Sequence, residues 1–314
     1  MTNEIYKIKS VMLGHAIGDA IGVPVEFCER YELDENPVTD MEGFGTYPYP
    51  AGYWSDDTSL SLAALDSLSS GEIKWDEIMN NFAKWLDEGE YTPCGEAFDV
   101  GRTCLHAIVR YFAKNTKATE SGGTDENSNG NGSLMRIHPF ALMTYFDKRL
   151  RFNWESIIDK ASALTHAHER SKLACRIYTS ILYCLLNDPS KDSVKKALHF
   201  AETRYEESQE LEKYKRIFSP DFAKTPREEI KSTGYVVDTL EAALWCLLTT
   251  DNYRNCVLKA VNLGDDTDTI AAIAGGLAGA LYGYDAIPKE WLDTLKRRQY
   301  IEEMCETACK AWSC

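Results

Sequence analysis

Two short acidic clusters lie far apart in the chain, and each combines carboxylates with hydroxyls. They are Ser55-Asp56-Asp57-Thr58 and Asp265-Asp266-Thr267-Asp268-Thr269. Adjacent carboxylates repel one another, and burying them in a folded protein is costly unless a cation compensates their charge. Hard oxygen ligands of this kind suit Mg²⁺, Mn²⁺ or Ca²⁺ better than zinc. The two clusters therefore predict one divalent-metal site that the fold assembles from distant segments.

Each cluster, taken alone, has a simpler interpretation. Both precede an apolar helical pattern, and Ser or Asp at such a place commonly caps a helix. A helix N-terminus favours one or two acids, however, and does not need this excess. Asp266 and Asp268 alternate, so both carboxylates can point to one place while Thr269 starts the helix. Taken together, the clusters favour metal binding over capping.

Two other segments contain polar groups that fit a site. Glu26 ends a helical pattern over 5–26 that has glycines at 14, 18 and 22 on one face. A glutamate is unfavourable at the C-terminus of a helix, which suggests another role. Residues 128–136 read Ser-Asn-Gly-Asn-Gly-Ser-Leu-Met-Arg. Their glycines permit unusual backbone angles and expose N–H groups, so this segment is either a phosphate cradle or a plain surface turn.

The elements that must position these residues are helical. Apolar residues recur with the period of a helix over 5–26, 58–68, 75–86, 236–248 and 269–281, and β-branched residues do not cluster. We therefore predict an all-α fold. Two polar stretches interrupt it: 114–131 is predicted to be a long loop, and 202–231 a solvated helix followed by an irregular connection.

Composition excludes several classes of protein. The chain has 314 residues, of which 44% are hydrophobic, with 34 Lys and Arg against 49 Asp and Glu. The net charge of −15 argues against a nucleic-acid partner. The apolar run over 270–282 is too short and glycine-rich to cross a membrane, and residues 1–10 lack a signal-peptide pattern. Ten scattered cysteines without a Cys-x-x-Cys pair favour a reduced, cytoplasmic protein.

The order of the motifs resembles the ADP-ribosylglycohydrolase family. The motifs are the glycine-faced helix ending at Glu26, Trp-Ser-Asp-Asp-Thr at 54–58, Asn-Gly-Ser-Leu-Met-Arg at 131–136, Thr-His at 165–166, and Gly-Asp-Asp-Thr-Asp-Thr at 264–269. The resemblance extends over about 7–283. It implies a compact, single-domain orthogonal helical bundle of the ADP-ribosylglycohydrolase type, spanning residues 1–314.

The resemblance also implies which residues form the site. Two Mg²⁺ (or Mn²⁺) ions are expected on Ser55, Asp56, Asp57, Asp266, Asp268 and Thr269. Glu26, Asp57 and Asp266 are the expected catalytic residues. The expected substrate contacts are Asp99, Gly101, Ser128, Gly130, Asn131, Gly132, Ser133 and His166. Two positions depart from the family pattern: Ser55 stands where many members have Thr, and Asp265 where Gly or Asn is common.

The activity implied by the resemblance is hydrolysis of the glycosidic bond that joins ADP-ribose to a protein side chain, which reverses mono-ADP-ribosylation. Arginine is the favoured linkage, because the carboxylate of Asp99 can pair with a guanidinium. Serine-linked ADP-ribose, small conjugates such as O-acetyl-ADP-ribose and a non-catalytic crystallin-like protein are the alternatives. The expected partner is an ADP-ribosylated protein or conjugate, and the oligomeric state is left open, a monomer included.

Overall fold

The computed structural model describes residues 3–312. They form α-helices, short 3₁₀ helices and two isolated β-bridges, with no β-sheet in this part of the chain, which confirms the all-α prediction. The α-helices are α1 Asn3–Gly22, α2 Arg30–Glu35, α3 Asp56–Leu68, α4 Trp75–Glu88, α5 Arg102–Lys114, α6 His138–Phe146, α7 Trp154–Ala163, α8 Glu169–Asn187, α9 Lys191–Arg204, α10 Val236–Leu248, α11 Tyr253–Val261, α12 Thr267–Tyr282, α13 Lys289–Thr294 and α14 Arg298–Ala311.

The centre of the fold is an antiparallel pair formed by α1 and α12. Small residues let the two backbones touch: a Cβ atom added to Gly18 would lie 2.0 Å from the carbonyl oxygen of Ala271. A Cβ on Gly22 would lie 2.3 Å from the Cα atom of Asp268. Only glycine permits such an approach. The contact therefore brings the last turn of α1 directly against the first turn of α12.

Helix α1 ends at Gly22, four residues before the predicted end. Pro24 explains the difference, because its ring disfavours helical backbone in the preceding residue and it has no N–H to donate. A 3₁₀ turn over Val23–Val25 follows, and Glu26 has extended backbone (φ −55°, ψ 136°). Glu26 thus lies just beyond the helix rather than in its last turn.

Helix α3 begins at Asp56, two residues before the predicted start. Ser55 is its N-cap residue, and the Ser55 Oγ atom accepts a hydrogen bond from the backbone N–H of Asp57 at 3.4 Å. Asp56 and Asp57 consequently lie inside the first turn, where the helix dipole favours negative charge. The capping and metal-binding interpretations of this cluster are therefore compatible, because Ser55 provides the cap.

The remaining predicted helices agree with the structure to within two residues at each end, and 236–248 agrees at both. After α5 ends, residues 115–131 form the 3₁₀ turns Ala118–Glu120 and Glu126–Ser128 and contribute one residue to each of the two β-bridges, so this stretch is the predicted long loop. The helix predicted within 202–231 is a 3₁₀ helix over Gln209–Phe218, and eight of its ten residues are exposed or half-buried. The segment forms three 3₁₀ helices whose Tyr214, Ile217 and Phe222 side chains are buried, so it packs on the core through spacing that a 3.6-residue period does not describe.

Apolar residues from nearly every helix form one continuous core. Its largest fully buried side chains include Trp54, Trp85, Trp291 and Trp312. Within residues 3–312, no helix combines the length and apolar character needed to cross a membrane.

Candidate metal centre and substrate cleft

The first cluster forms one group of carboxylates with a residue from another loop. Asp56 and Asp57, in the first turn of α3, lie beside Asp99, and one carboxylate oxygen from each is within 4.8 Å of the others. Asp57 is fully buried, Asp56 nearly so, and Asp99 is half-buried. The Tyr47 hydroxyl donates to Asp99 Oδ1 at 3.1 Å and orients it. Asp99, expected on the substrate side, is thus also the third carboxylate of the first group.

The second group contains Glu26, Asp266 and Asp268, again with one oxygen from each within 4.8 Å of the others. Asp268 lies in the first turn of α12, and Asp266 is the residue before that helix. The close packing of α1 on α12 brings Glu26 to them. The structure therefore brings together the three acidic residues that the sequence places at the ends of two helices.

The two groups adjoin one another. Thr269 Oγ1 donates to Asp57 Oδ2 at 3.2 Å, which joins the second cluster to the first. Asn131 Nδ2 donates to Asp266 Oδ2 at 2.8 Å, which joins the Asn/Gly loop to the second cluster. Residues that are 212 positions apart in sequence thus share one polar site.

Asp19 organises the first cluster from the last turn of α1. Its fully buried carboxylate accepts hydrogen bonds from the backbone N–H of Ser55 at 2.8 Å and of Thr58 at 3.0 Å. It also accepts from the Thr58 hydroxyl at 2.6 Å. These bonds fix the start of α3 against α1. An aspartate within the apolar, glycine-faced pattern of α1 is the feature of the sequence that could have identified it.

Asp265 has a backbone role. Its φ of 65° lies in the left-handed region, which Gly and Asn adopt more readily than other residues. Its N–H donates to the carbonyl of Cys28 and its carbonyl accepts from the N–H of Phe27, both at 2.8 Å. These bonds hold the Glu26 segment against the start of α12. The presence of Asp265 where Gly or Asn is common in the family therefore bears on the geometry of this turn. The exposed Asp265 side chain belongs to neither carboxylate group.

The buried carboxylates fit a cation. Glu26 Oε2, Asp57 Oδ1 and Asp268 Oδ2 are buried and have no hydrogen-bond partner. Burial and the neighbouring Asp99 and Asp266 raise the pKa of Glu26 to about 9. Burial, together with neighbouring carboxylates, also raises the pKa of Asp56, Asp57 and Asp268. Unpartnered, acceptor-only groups under mutual repulsion are the donor set that a hard divalent cation satisfies.

These pKa shifts predict how the metal-free protein responds to pH. Glu26 has an ordinary pKa of 4.5 when unfolded and about 9 when folded, so the folded state binds the extra proton between these values. The stability that this group contributes is complete below pH 4.5 and is lost as the pH rises toward 9. Added Mg²⁺ or Mn²⁺ at 100 times its Kd should stabilise the fold by about 2.7 kcal/mol.

Thermal unfolding at two pH values tests this expectation. Without metal, we expect Tm to be several degrees lower at pH 8.5 than at pH 5.5. The ion should raise Tm more at pH 8.5, because fewer protons then compete for the carboxylates. The Asp57→Asn variant is the control, since it should show a smaller dependence on both pH and metal. An equal Tm gain from the ion at both pH values would contradict the assignment.

A cleft of about 300 Å³ opens above the two groups. It is lined by Glu26, Phe27, Asp56, Asp99, Gly101, Arg102, Thr103, Cys104, Asn127, Gly130, Asn131, Gly132, Met135, His166, Asp266 and Thr269. A larger cavity of about 610 Å³ lies at the opposite ends of α1 and α12, but none of the candidate site residues lines it. The cleft is thus lined both by carboxylates of the two groups and by the Asn/Gly loop.

Backbone pairing holds the Asn/Gly loop in place. Asn131 N–H donates to the Gly234 carbonyl, and Val236 N–H donates to the Asn129 carbonyl, both at 3.0 Å. A Cβ atom on Gly132 would lie 2.8 Å from the His166 ring, so the loop passes directly over this histidine. The backbone at 130–132 therefore lines the cleft, and at Gly132 a side chain would collide with His166.

Most of the predicted substrate residues line the cleft, and two do not. Ser128 donates to Asp125 Oδ2 at 3.0 Å, and Ser133 is fully buried with its Oγ atom 2.9 Å from Ser162 Oγ. The sequence interpretation missed Tyr47 behind Asp99 and six lining residues: Phe27, Arg102, Thr103, Cys104, Asn127 and Met135. Asn127 precedes the segment at 128–136 and Met135 lies within it, so their closeness to the predicted contacts was the sequence feature that could have identified them.

Comparison with known proteins identifies the family. A family model described as ADP-ribosylglycohydrolase matches residues 1–313. The chain belongs to the ADP-ribosylglycohydrolase family. It is 35% identical over 306 residues to the ADP-ribosylarginine hydrolase Tri1 of Serratia proteamaculans (strain 568), covering 97% of this chain and 79% of the relative. It is 32% identical over 286 residues to the ADP-ribosyl-[dinitrogen reductase] glycohydrolase of Rhodospirillum rubrum, covering 90% and 88%.

A solved ADP-ribosylglycohydrolase-related protein complex has the same fold. The TM-score is 0.83 at 28% identity, and the match covers 99% of this chain and 100% of that one. The protein is therefore an enzyme of the ADP-ribosylglycohydrolase type that hydrolyses ADP-ribose conjugates. The crystallin-like alternative has no support.

Proposed function

We propose that the protein removes ADP-ribose from arginine side chains in a reaction that depends on two Mg²⁺ or Mn²⁺ ions. The observation that carries this proposal is the meeting of two carboxylate groups, Asp56–Asp57–Asp99 and Glu26–Asp266–Asp268, at one end of a cleft. The same cleft is also lined by a glycine-rich loop of the kind that cradles phosphate. A diphosphate with a ribose at one end matches this arrangement.

The ions would be held by Asp56, Asp57, Asp266 and Asp268, with the hydroxyls of Ser55 and Thr269 beside them. When bound, they supply positive charge next to the distal ribose and lower the pKa of water. Other residues hold these ligands in position: Asp19 holds the first turn of α3, and Asn131 holds Asp266. Gly130 and Gly132 line the cleft, where their backbone would face the diphosphate.

Glu26 is proposed to move the proton. Its Oε2 atom has no partner, and the residue lines the cleft beside both groups. Cleavage at the anomeric carbon develops positive charge on the sugar, and the leaving nitrogen or oxygen must gain a proton. A carboxyl group at this position can donate that proton or accept one from the attacking water.

Arginine is the linkage favoured by Asp99 and by the relatives. Asp99 lines the cleft with a half-buried carboxylate next to Glu26, where a guanidinium leaving group would gain an ionic partner. The relative from Serratia is named as an ADP-ribosylarginine hydrolase. The location in the cytoplasm remains a prediction from the cysteine content.

A release assay tests the linkage and the metal dependence together. The enzyme is incubated with three substrates: an arginine-linked ADP-ribosyl peptide, a serine-linked ADP-ribosyl peptide and O-acetyl-ADP-ribose. Each reaction is run in chelator-free buffer with Mg²⁺ or Mn²⁺, and again with excess EDTA. We expect release from the arginine peptide, and its loss in EDTA. Faster release from the serine peptide or from O-acetyl-ADP-ribose would contradict the arginine assignment. Full activity in EDTA would contradict the metal assignment.

A further inference from the structure

A buried chain of polar side chains connects the core to the cleft through His166. Arg136 is fully buried, and its Nη2 atom donates to Thr165 Oγ1 at 2.8 Å and to the Ala161 carbonyl at 3.1 Å. Thr165 Oγ1 lies 2.8 Å from His166 Nδ1. His166 in turn lines the cleft. The chain therefore runs from a guanidinium through a hydroxyl to an imidazole.

The donors and acceptors of this chain have a defined direction. A guanidinium can only donate, so Thr165 Oγ1 accepts from Arg136. The hydroxyl retains one proton, and the ring nitrogen of His166 is a much stronger acceptor than the nearby thiol of Cys104. The Thr165 hydroxyl thus donates to His166 Nδ1. A neutral imidazole that accepts at Nδ1 carries its proton on Nε2.

The charge of Arg136 also favours the His166 tautomer that carries its proton on Nε2. No salt bridge involves Arg136 anywhere in residues 3–312, and its Nε and Nη1 atoms have no hydrogen-bond partner. The face of the Phe82 ring lies 4.9 Å from its guanidinium carbon. A lone pair at His166 Nδ1 is attracted by this buried cation, whereas an N–H there would be repelled. Burial and the Arg136 charge lower the pKa of His166 to about 3, so the ring is neutral.

The ring is also fixed in position. The backbone of His166 pairs with Gly123 in a β-bridge, and the His166 carbonyl accepts from Ser162 Oγ at 2.8 Å. On the cleft side, a Cβ added to Gly130 would lie 3.5 Å from His166 Nε2. Nε2 therefore faces the glycine loop, where the proposed function places the diphosphate and the distal ribose.

We propose that Arg136 and Thr165 are positioning residues that hold His166 as the neutral Nε2–H tautomer, so that it donates a hydrogen bond to an oxygen of ADP-ribose. This inference rests on the proposed function for the identity of the ligand. It explains why an uncompensated cation lies beneath the Asn/Gly loop. It also means that the Nε2 atom of His166 presents a donor, never an acceptor, to the substrate throughout the neutral pH range.

The tautomer can be measured directly in the free protein. Long-range ¹H–¹⁵N correlation spectra of ¹⁵N-histidine-labelled enzyme distinguish a protonated from an unprotonated ring nitrogen, and the His166→Gln variant assigns the signals. We expect protonated Nε2, unprotonated Nδ1 and no titration between pH 5.5 and 8.5. A protonated Nδ1, or a ring that titrates in this range, would overturn the inference.

Two substitutions at Thr165 test its consequence for the ligand. Thr165→Val keeps the shape but removes the hydroxyl, and Thr165→Ser retains the hydroxyl as the matched control. For Thr165→Val we expect mixed tautomers and a Kd for ADP-ribose about 5- to 10-fold higher by calorimetry, with KM rising more than kcat falls. Thr165→Ser should restore the wild-type spectrum and most of the affinity. Thr165→Val with a wild-type spectrum and Kd would overturn the inference.

Failure of the proposed function has a different signature. If wild-type enzyme released no ADP-ribose from any conjugate and did not bind free ADP-ribose, the proposed function would fail. The ligand assigned to His166 would then be wrong even if the spectra showed the Nε2–H tautomer. If the enzyme is active and binds ADP-ribose but His166 carries its proton on Nδ1, only the positioning inference fails.

Discussion

Replacing Asp57 or Asp268 by asparagine should lower kcat/KM for an ADP-ribosylated substrate by about 1000-fold or more. Each residue is fully buried, belongs to a different carboxylate group and has one oxygen without a partner. Asparagine keeps the size of the side chain but removes the negative charge that a divalent ion requires. Steady-state kinetics at saturating Mg²⁺ or Mn²⁺, with the Kd of the ion from calorimetry, measures both losses.

The neighbouring Asp265 provides a matched control. Asp265→Asn makes the same chemical change at an exposed carboxylate, and asparagine tolerates the left-handed backbone found there. We expect near wild-type activity from this variant. The metal-free Asp57→Asn protein should unfold at the same or a higher temperature than wild type, because repulsion among buried carboxylates is relieved. Wild-type turnover by Asp57→Asn or Asp268→Asn would refute the metal-site assignment.

Replacing Glu26 by glutamine should lower kcat by about 100- to 10,000-fold while the Kd for ADP-ribose changes much less. Glutamine is the same size and can still accept hydrogen bonds, but it cannot carry a proton to or from the reacting bond. Single-turnover kinetics combined with calorimetry separates the chemical step from binding.

An exposed glutamate near the same segment is the control for Glu26. Glu42→Gln changes a solvent-exposed carboxylate in the loop whose Thr46 hydroxyl donates to the Glu26 carbonyl at 2.6 Å. Its kinetics should match wild type. Equal losses of kcat and of affinity in Glu26→Gln would instead indicate that Glu26 positions the substrate or an ion and does not transfer the proton.

Much of the site could be predicted because its residues are concentrated in short motifs. The clusters at 55–58 and 265–269 contain more carboxylates than helix capping requires, and the structure places them side by side through the Thr269 to Asp57 hydrogen bond. The all-α fold followed from the periodicity of apolar residues. Helix ends were less certain where local chemistry decided them, as with Pro24 after α1 and the Ser55 cap of α3.

The residues that sequence analysis missed act through tertiary contacts. Asp19 resembles an isolated polar residue in an apolar helix until the start of α3 is placed against it. Tyr47 and Asp99 are 52 positions apart and meet only in the folded protein. The contact of the 3₁₀ helix over Gln209–Phe218 with the core was not predicted, because its charged residues outnumber the two side chains, Tyr214 and Ile217, that are buried. Contacts between such distant residues cannot be predicted from a local sequence pattern, because the position of one residue does not determine the position of its partner.

The glycine contacts between α1 and α12 have a consequence for engineering. Substituting glycine by alanine inside a helix usually stabilises a protein, by up to about 1 kcal/mol, and is a standard choice for thermostabilisation. At Gly18 and Gly22 the added methyl group would collide with the backbone of α12, in the second case at Asp268 itself. Alanine substitutions chosen to raise stability would therefore reduce catalysis when they are made at these two buried positions. Variants at these glycines should be scored as active-site variants, although their side chains never meet the substrate.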